Sequence, residues 1–512
     1  MQFPERCYLA LTLFVMMLLA GCASFSHENE ANTGQESITS TSDHRALVLD
    51  LDEVVTKQQS KANVLITQSS MTVASTDQHQ LSLADALQTA GVENPIINLA
   101  REAVREAEAQ LLGAEALKLP SFDTGIHLRM HTGNLQQTPG TILDVQLQSL
   151  YFGAGAGAWG AGTVLIPGLR LSYPLADIIG EPQVASQRVN VRMGDQVTIE
   201  NVTLLDVVEA YYRLAQTAAS IEALHRSQNE FDEVARLTRH FAETGQGRQA
   251  DYNRAEAYAV LQKKQLLNAE GEATAASARL SRILNLDPTY HLNLSKDALV
   301  ELKLIDSTLT QVELQDRAEN NRPEIVTGMS MVGEAQARLR QEEVRPWLPT
   351  ITAGFSYGGF SGSGNLTNSQ LNNISGRTDF DVTACWTFQN FGLGNQASQH
   401  RQRAVVFQAV AGLQDTRNRV RAEVAEAFAQ LQAVRKQLEI TRRQLVSAEE
   451  TYLAERKRIE QGEGLPLEVL DSVRSLSDSR LAVIQATVEV NIAQFRLLTA
   501  IGTSSEQALC HP

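Results

Sequence analysis

From residue 81 onward the chain alternates between two hydrophobic patterns. Long stretches with apolar residues at helical spacing give way twice to short stretches of strict alternation. The first helical pattern runs from Leu81 to Leu119 and stops at Pro120. In the next ten residues Phe122, Ile126, Leu128 and Met130 fall on one face, and Asp123, His127, Arg129 and His131 on the other. This is period two with one oily and one strongly polar face, the mark of a strand. A loop is predicted from about 132 to 162, across the Gly153–Gly157 run. A second strand follows, with Leu169, Leu171 and Tyr173 set against Arg170 and Ser172.

After Pro182 a very long helix is predicted, since no Gly or Pro occurs from Asp195 to Thr244. Apolar residues recur at sevens, as in Leu204, Tyr211 and Ala218, and in Val207, Leu214 and Ile221. A seven-residue repeat marks a supercoiled helix seam. From about Gln183 to Glu243 the helix would measure roughly 90 Å at 1.5 Å per residue. Gly245-Gln246-Gly247 breaks it, and a return helix follows to about Asn285. The whole pattern then recurs. A helix over about Leu309–Glu343 stops at Pro346 and Pro349. One strand alternates Ile351, Ala353, Phe355 and Tyr357 against Thr350, Thr352 and Ser356. After a Gly- and Asn-rich loop over about 358–376, a second alternates Phe380, Val382, Ala384, Trp386 and Phe388 against Asp379, Asp381, Thr383, Cys385 and Thr387. A second Gly- and Pro-free run spans Leu413–Gln461, breaks at Gly462-Glu463-Gly464, and returns over about Leu467–Ile501.

Particular residues answer one another across the two copies: Glu93-Asn94-Pro95 and Asn321-Arg322-Pro323, Leu119-Pro120-Ser121 and Leu348-Pro349-Thr350, Gly245 and Gly462, Asp251 and Glu468. The predicted fold class is therefore mainly α with a transmembrane β part, a twofold repeat of helix, β-hairpin and long helical hairpin. The first repeat covers 81–308, with its β-hairpin at about 121–175 and its helical hairpin at about 183–286. The second covers 309–503, with these parts at about 350–390 and 395–502, and a tail occupies 504–512.

Aromatics support a membrane setting for the strands. Of 28 in the chain, 13 fall within 122–175 and 347–391, including all three Trp. Apolar strand faces flanked by aromatics mark outer-membrane barrels. Four strands cannot close a barrel, and open edges are not tolerated in lipid, so the chain must oligomerise. Three copies would supply twelve strands.

The N-terminus adds a targeting segment. Arg6 precedes an apolar stretch from Leu9 to Ala20, too short to span a bilayer as a helix. Leu19-Ala20-Gly21-Cys22 resembles the bacterial lipobox. The resemblance implies a signal peptide over 1–21, cleavage before Cys22, and acylation of that residue. Ala23 rather than Asp implies sorting to the outer membrane. Residues 22–80 read as a lipidated polar tether. Of the remaining cysteines, Cys385 and Cys510 could pair in an oxidising compartment, but their spacing suggests two unpaired thiols.

The net charge of −15 argues against a nucleic-acid partner. Gly155-Ala156-Gly157-Ala158-Trp159-Gly160 matches GxGxxG, yet Pro167 and a strand follow where a nucleotide site needs a helix. His127 and His131 share a strand face but lie about 13 Å apart, too far for a shared metal. No catalytic grouping, metal site or cofactor is predicted.

The duplicated order of these elements, with strand entries at Pro120 and Pro349, resembles the TolC-type outer-membrane efflux family over about residues 81–503. Phe241–Gly245 followed by Ala250–Ala255 is similar to the family's first turn, and Ile459–Gly462 followed by Glu468-Val469-Leu470-Asp471 to its second. The resemblance implies a homotrimer, with a twelve-stranded β-barrel on a twelve-helix tube, and no enzymatic activity. It also implies a periplasmic adaptor and an inner-membrane pump as partners. Tip turns at Gly245, Gly247, Gly462 and Gly464 would meet the adaptor. Glu468 and Asp471, with Asp251 from the first repeat, match the position of the family's acidic constriction. Some members latch the tip with an Arg in the turn; Gly464 stands at about that position here. The bland reading of these carboxylates is helix capping. A competing reading of the chain is a lipid-anchored periplasmic coiled-coil spacer without a pore, which leaves the strand alternation unexplained.

Overall fold

The computed structural model describes residues 81–119, 121–122, 124–137, 139–155, 169–245, 247–289, 292–295, 299–306, 308–366, 370–461 and 465–510. The expectations for the signal peptide, Cys22, the tether, Gly462 and Gly464 lie outside these residues. The described chain forms two units, one of strands and one of helices.

The helical unit contains α1 (Leu83–Glu93), α2 (Pro95–Ala116), α3 (Leu175–Glu243), α4 (Gln249–Ile283), α5 (Gln311–Asn321), α6 (Pro323–Val344), α7 (Leu393–Glu460), α8 (Pro466–Ala500) and α9 (Ser505–Cys510). Helices α3 and α7 have 69 and 68 residues, and each runs about 100 Å at 1.5 Å per residue. Each pairs with a 35-residue return helix, α4 and α8. Helix α8 is apolar enough to cross a bilayer, but 61% of its most apolar window is buried, as befits a core helix. One core joins α1, α3, α5, α7 and α8 around Leu87, Leu204, Tyr211, Leu314, Val424 and Phe495. A second, with Phe231, Ala255, Tyr452, Ile459 and Leu470, packs the hairpin ends.

Three helical boundaries differ from expectation. The pattern over Leu81–Leu119 is two helices, because Asn94 caps α2 by accepting from the N–H groups of Ile96 and Ile97, ahead of Pro95. Likewise Leu309–Glu343 is divided at Arg322-Pro323. The two breaks are structural equivalents. Asn94 Nδ2 donates to the Ile283 carbonyl at 2.8 Å, and Arg322 Nη1 to the Thr499 carbonyl at 3.1 Å, so each holds the end of a return helix. Finally, α3 begins at Leu175, with Pro182 inside it. A proline there forfeits one backbone hydrogen bond. Polar contacts around it hold the helix: Asp177 and Glu181 both accept from Gln341 Nε2, at 2.9 and 3.0 Å, and pair respectively with Arg345, which caps the end of α6, and Arg338 on α6. Burial pushes the Glu181 carboxyl up, but Gln341 and Arg338 outweigh it and hold the group below its ordinary value.

Helices α3 and α6 approach very closely. A Cβ on Gly180 would lie 2.6 Å from Gln341 Cγ, and one on Gly194 2.0 Å from Thr327 Oγ1. Between the repeats, the segment 300–304 is strapped to α8 by buried amides. Asn491 bonds the Val300 carbonyl and the Leu302 N–H, and Gln494 the Leu302 carbonyl and the Leu304 N–H. Two side chains thus satisfy a backbone that has no strand partner there.

The strand unit comprises β1 (Ser121–Phe122), β2 (Thr124–Gln136), β3 (Ile142–Gly155), β4 (Leu169–Pro174), β5 (Thr350–Gly364) and β6 (Ser375–Cys385) in one sheet. The predicted loop over 132–162 is a correction. Strand β2 runs on to Gln136 and turns tightly into β3, with Gln136 opposite Ile142. Thr124 faces Ala154, whereas Phe122 faces Leu169 on β4. The Gly-rich run therefore begins inside β3, at Gly153–Gly155, and is not the turn between β2 and β3. The predicted loop over 358–376 is also too long, since β5 continues to Gly364 and pairs with β3. Strand β6 ends at Cys385, short of Trp386 and Phe388.

Candidate functional site

The helical tips come first. Helix α3 ends at Glu243, and Gly245 takes the left-handed conformation, φ +74°, that a side chain resists. Its N–H donates to Ala242 O, and Gly247 N–H closes the turn on Phe241 O at 2.8 Å. Asp251 sits in the first turn of α4 and Glu468 in that of α8. The duplication reaches atomic detail: Arg239–Glu243 and Arg456–Glu460 are both i,i+4 pairs at 3.0 Å, 217 residues apart.

Glu468 and Asp471 lie on the exposed side of α8, opposite Val469, Leu470 and Val473 in the core. Glu468 is not free. Arg458, at the end of α7, reaches across the turn to it at 3.4 Å while also holding Glu455. This exposed pair is weak in water. Asp471 has no partner among the described residues, and Asp251 is half-buried at the matching place in the first repeat. Sequence reasoning missed Arg458, whose partnership depends on how the turn folds back. It also missed Arg239 stacked 6.0 Å over Tyr252, and the paired bonds of 2.9 Å from Arg480 on α8 to Glu230 on α3. The last pair joins the two hairpins.

In the strand unit, Ile126, Leu128 and Met130 are 78%, 56% and 68% exposed, and Phe380 and Val382 are 74% and 60% exposed. A protein in water does not present such a band without covering it. Beyond Met130 the facing reverses. Thr132, Asn134 and Gln136 continue the oily face, paired with Gln146, Asp144 and Ile142. Leu135, Leu143, Val145 and Leu147 take the opposite face, with Val145 fully buried. The oily band therefore ends near Met130.

The helical unit carries its own exposed aromatics: Trp347, Trp386, Phe388, Phe391 and Phe407. Trp386 Nε1 donates to the Trp347 carbonyl at 3.3 Å. Asn390 and Phe391 hold left-handed backbone, φ +49° and +57°, and Phe391 is 99% exposed. That is a costly way to place a ring in solvent. Asn395, buried, closes the turn by accepting from Gln389 N–H at 2.8 Å. Cys385 is a free, exposed thiol. Among the described residues no three His, Cys, Asp or Glu side chains group to hold a metal.

Residues 314–503 match the family described as outer membrane efflux protein. This part of the chain belongs to that family. No curated protein matches the chain. Among solved structures, the CmeC outer membrane channel of Campylobacter jejuni superposes with a TM-score of 0.67 at 15% identity, covering 83% of this chain and 86% of that one. CusC gives 0.65 at 19% identity, covering 82% and 92%. The MtrE outer membrane channel of Neisseria gonorrhoeae gives 0.64 at 17%, covering 83% and 90%. The fold of the whole described chain is thus that of the outer-membrane efflux channels, in both repeats.

Proposed function

We propose that the chain is the outer-membrane exit duct of a tripartite efflux or type I secretion system. It assembles as a homotrimer, with a twelve-stranded barrel in the membrane and a twelve-helix tube in the periplasm, and is anchored through acylated Cys22. The observation that carries this reading is the uncovered apolar band on Ile126, Leu128, Met130, Phe380 and Val382, in a chain whose other unit is two long helical hairpins. The band needs lipid, and a sheet in lipid needs closure by further copies. The spacer reading accounts for the hairpins and leaves the band unexplained.

In this reading the tip turns, with Gly245, Gly247, Gly462 and Gly464, receive a periplasmic adaptor that joins an inner-membrane pump. Glu468, Asp471 and Asp251 face the narrow end, where three-fold repetition multiplies their charge. The Arg458–Glu468 contact stands beside a turn that has Gly464 where some relatives have Arg, and it ties α7 to α8 at the tip. The duct performs no chemistry of its own. Native mass spectrometry of the detergent-solubilised protein is expected to give three copies, with discrete conductance steps in planar bilayers. A monomer that passes no current would overturn the proposal.

A further inference from the structure

We propose that the sheet carries an oxyanion-binding site on the face opposite its oily band, centred on Arg129 and His131. Cross-strand partners share a face. Arg129 lies opposite Ser149, which lies opposite Gly362, and His131 lies opposite Leu147, which lies opposite Gly364. These residues surround a cavity of about 400 Å³. Its described lining contains no carboxylate, in a chain of net charge −15. Arg129 has no ion-pair partner among the described residues, and His131 Nε2 is buried with no hydrogen bond. A buried ring nitrogen left unpaired is costly and calls for a partner.

The surroundings strengthen a charge placed here. The cavity lies where the facing reverses, so Leu135 and Leu147 form part of its wall beside the polar groups. Apolar walls keep out water and raise the attraction between a guanidinium and an anion. Gly362 supplies the room: a Cβ there would meet only Gln148 O, at 3.4 Å. The guanidinium offers several N–H donors in a plane, suited to a carboxylate or phosphate. The ligand class is therefore a solute bearing a phosphate or carboxylate group, held on the water-facing side of the sheet.

The site lies within one protomer, so its test does not depend on conduction. Inorganic triphosphate titrated into the full-length solubilised protein, followed by phosphorus NMR, is expected to bind saturably. Arg129→Gln with His131→Gln should weaken binding at least ten-fold, with helix content and oligomeric mass unchanged. Gly362→Val keeps both donors but fills the cavity, and should weaken binding comparably. Absent saturable binding, an unaffected double variant, or a charge variant that weakens binding while Gly362→Val does not, would each overturn the site. A protein that binds triphosphate yet passes no current would leave this site standing and count against the duct.

Discussion

Substituting Gly180 by alanine isolates the contact that fixes α3 on α6. The added methyl would lie 2.6, 2.8 and 2.9 Å from three carbons of Gln341, which is 2% exposed and has little room to retreat. Overpacking of this kind costs about 1–3 kcal/mol. If Gln341 is displaced it also loses its bonds to Asp177 and Glu181, and a hydrogen bond to a charged group is worth about 1.5–3 kcal/mol. Alanine returns about 1 kcal/mol of helix propensity. The net expectation is a loss of about 2–4 kcal/mol. The assay is a double-mutant cycle with Gln341→Ala, read from the unfolding midpoint by circular dichroism. The Gln341→Ala background removes the contacts at Cγ and Cδ and the two hydrogen bonds, leaving only the Cβ contact at 2.9 Å, so Gly180→Ala should cost much less there than in the wild type. An equal cost in both backgrounds, or no cost in the wild type, would refute the reasoning.

At the tip, Glu468→Gln with Asp471→Asn should reduce cation selectivity in planar bilayers and weaken block by trivalent cations while the trimer persists. Unchanged selectivity with slightly lower stability would decide for helix capping. Glu181 is held below its ordinary value, so its contribution is present above about pH 4 and is lost as pH falls through the lowered value. The unfolding midpoint should therefore drop on acidification below that pH, and Glu181→Gln should show a smaller drop from a lower neutral value; identical pH profiles would count against it. Acyl labelling with palmitate should vanish in Cys22→Ser, and labelling that survives would remove the anchor.

Much of this architecture was legible in the sequence because its periods are long and clean. The Gly-free runs before Thr244 and Gln461 mark both long helices, and paired motifs reveal the duplication. What escaped did so for local reasons. Strands β2 and β3 were hidden beyond Met130 because the alternation changes phase there: Met130 and Leu135 are both apolar but face opposite ways. A reader expecting constant phase sees irregularity and assigns a loop. Pro182 suggested a helix start because the contacts of Asp177 and Glu181 with α6 arise only on folding. At the tip, Glu468 and Asp471 were visible as acidic residues opening a helix. Arg458 was not, because a ten-residue separation across a turn has no fixed meaning until the turn is built.

The central claim is that the β unit is one third of a water-filled barrel in lipid. Single cysteines at residues 126 and 128–131, in a background with Cys385→Ser and Cys510→Ser, can be challenged in intact cells with a membrane-impermeant maleimide. The account predicts alternation: positions 129 and 131 react and positions 126, 128 and 130 do not. Uniform reaction along the strand, as for a sheet lying in water, would contradict it.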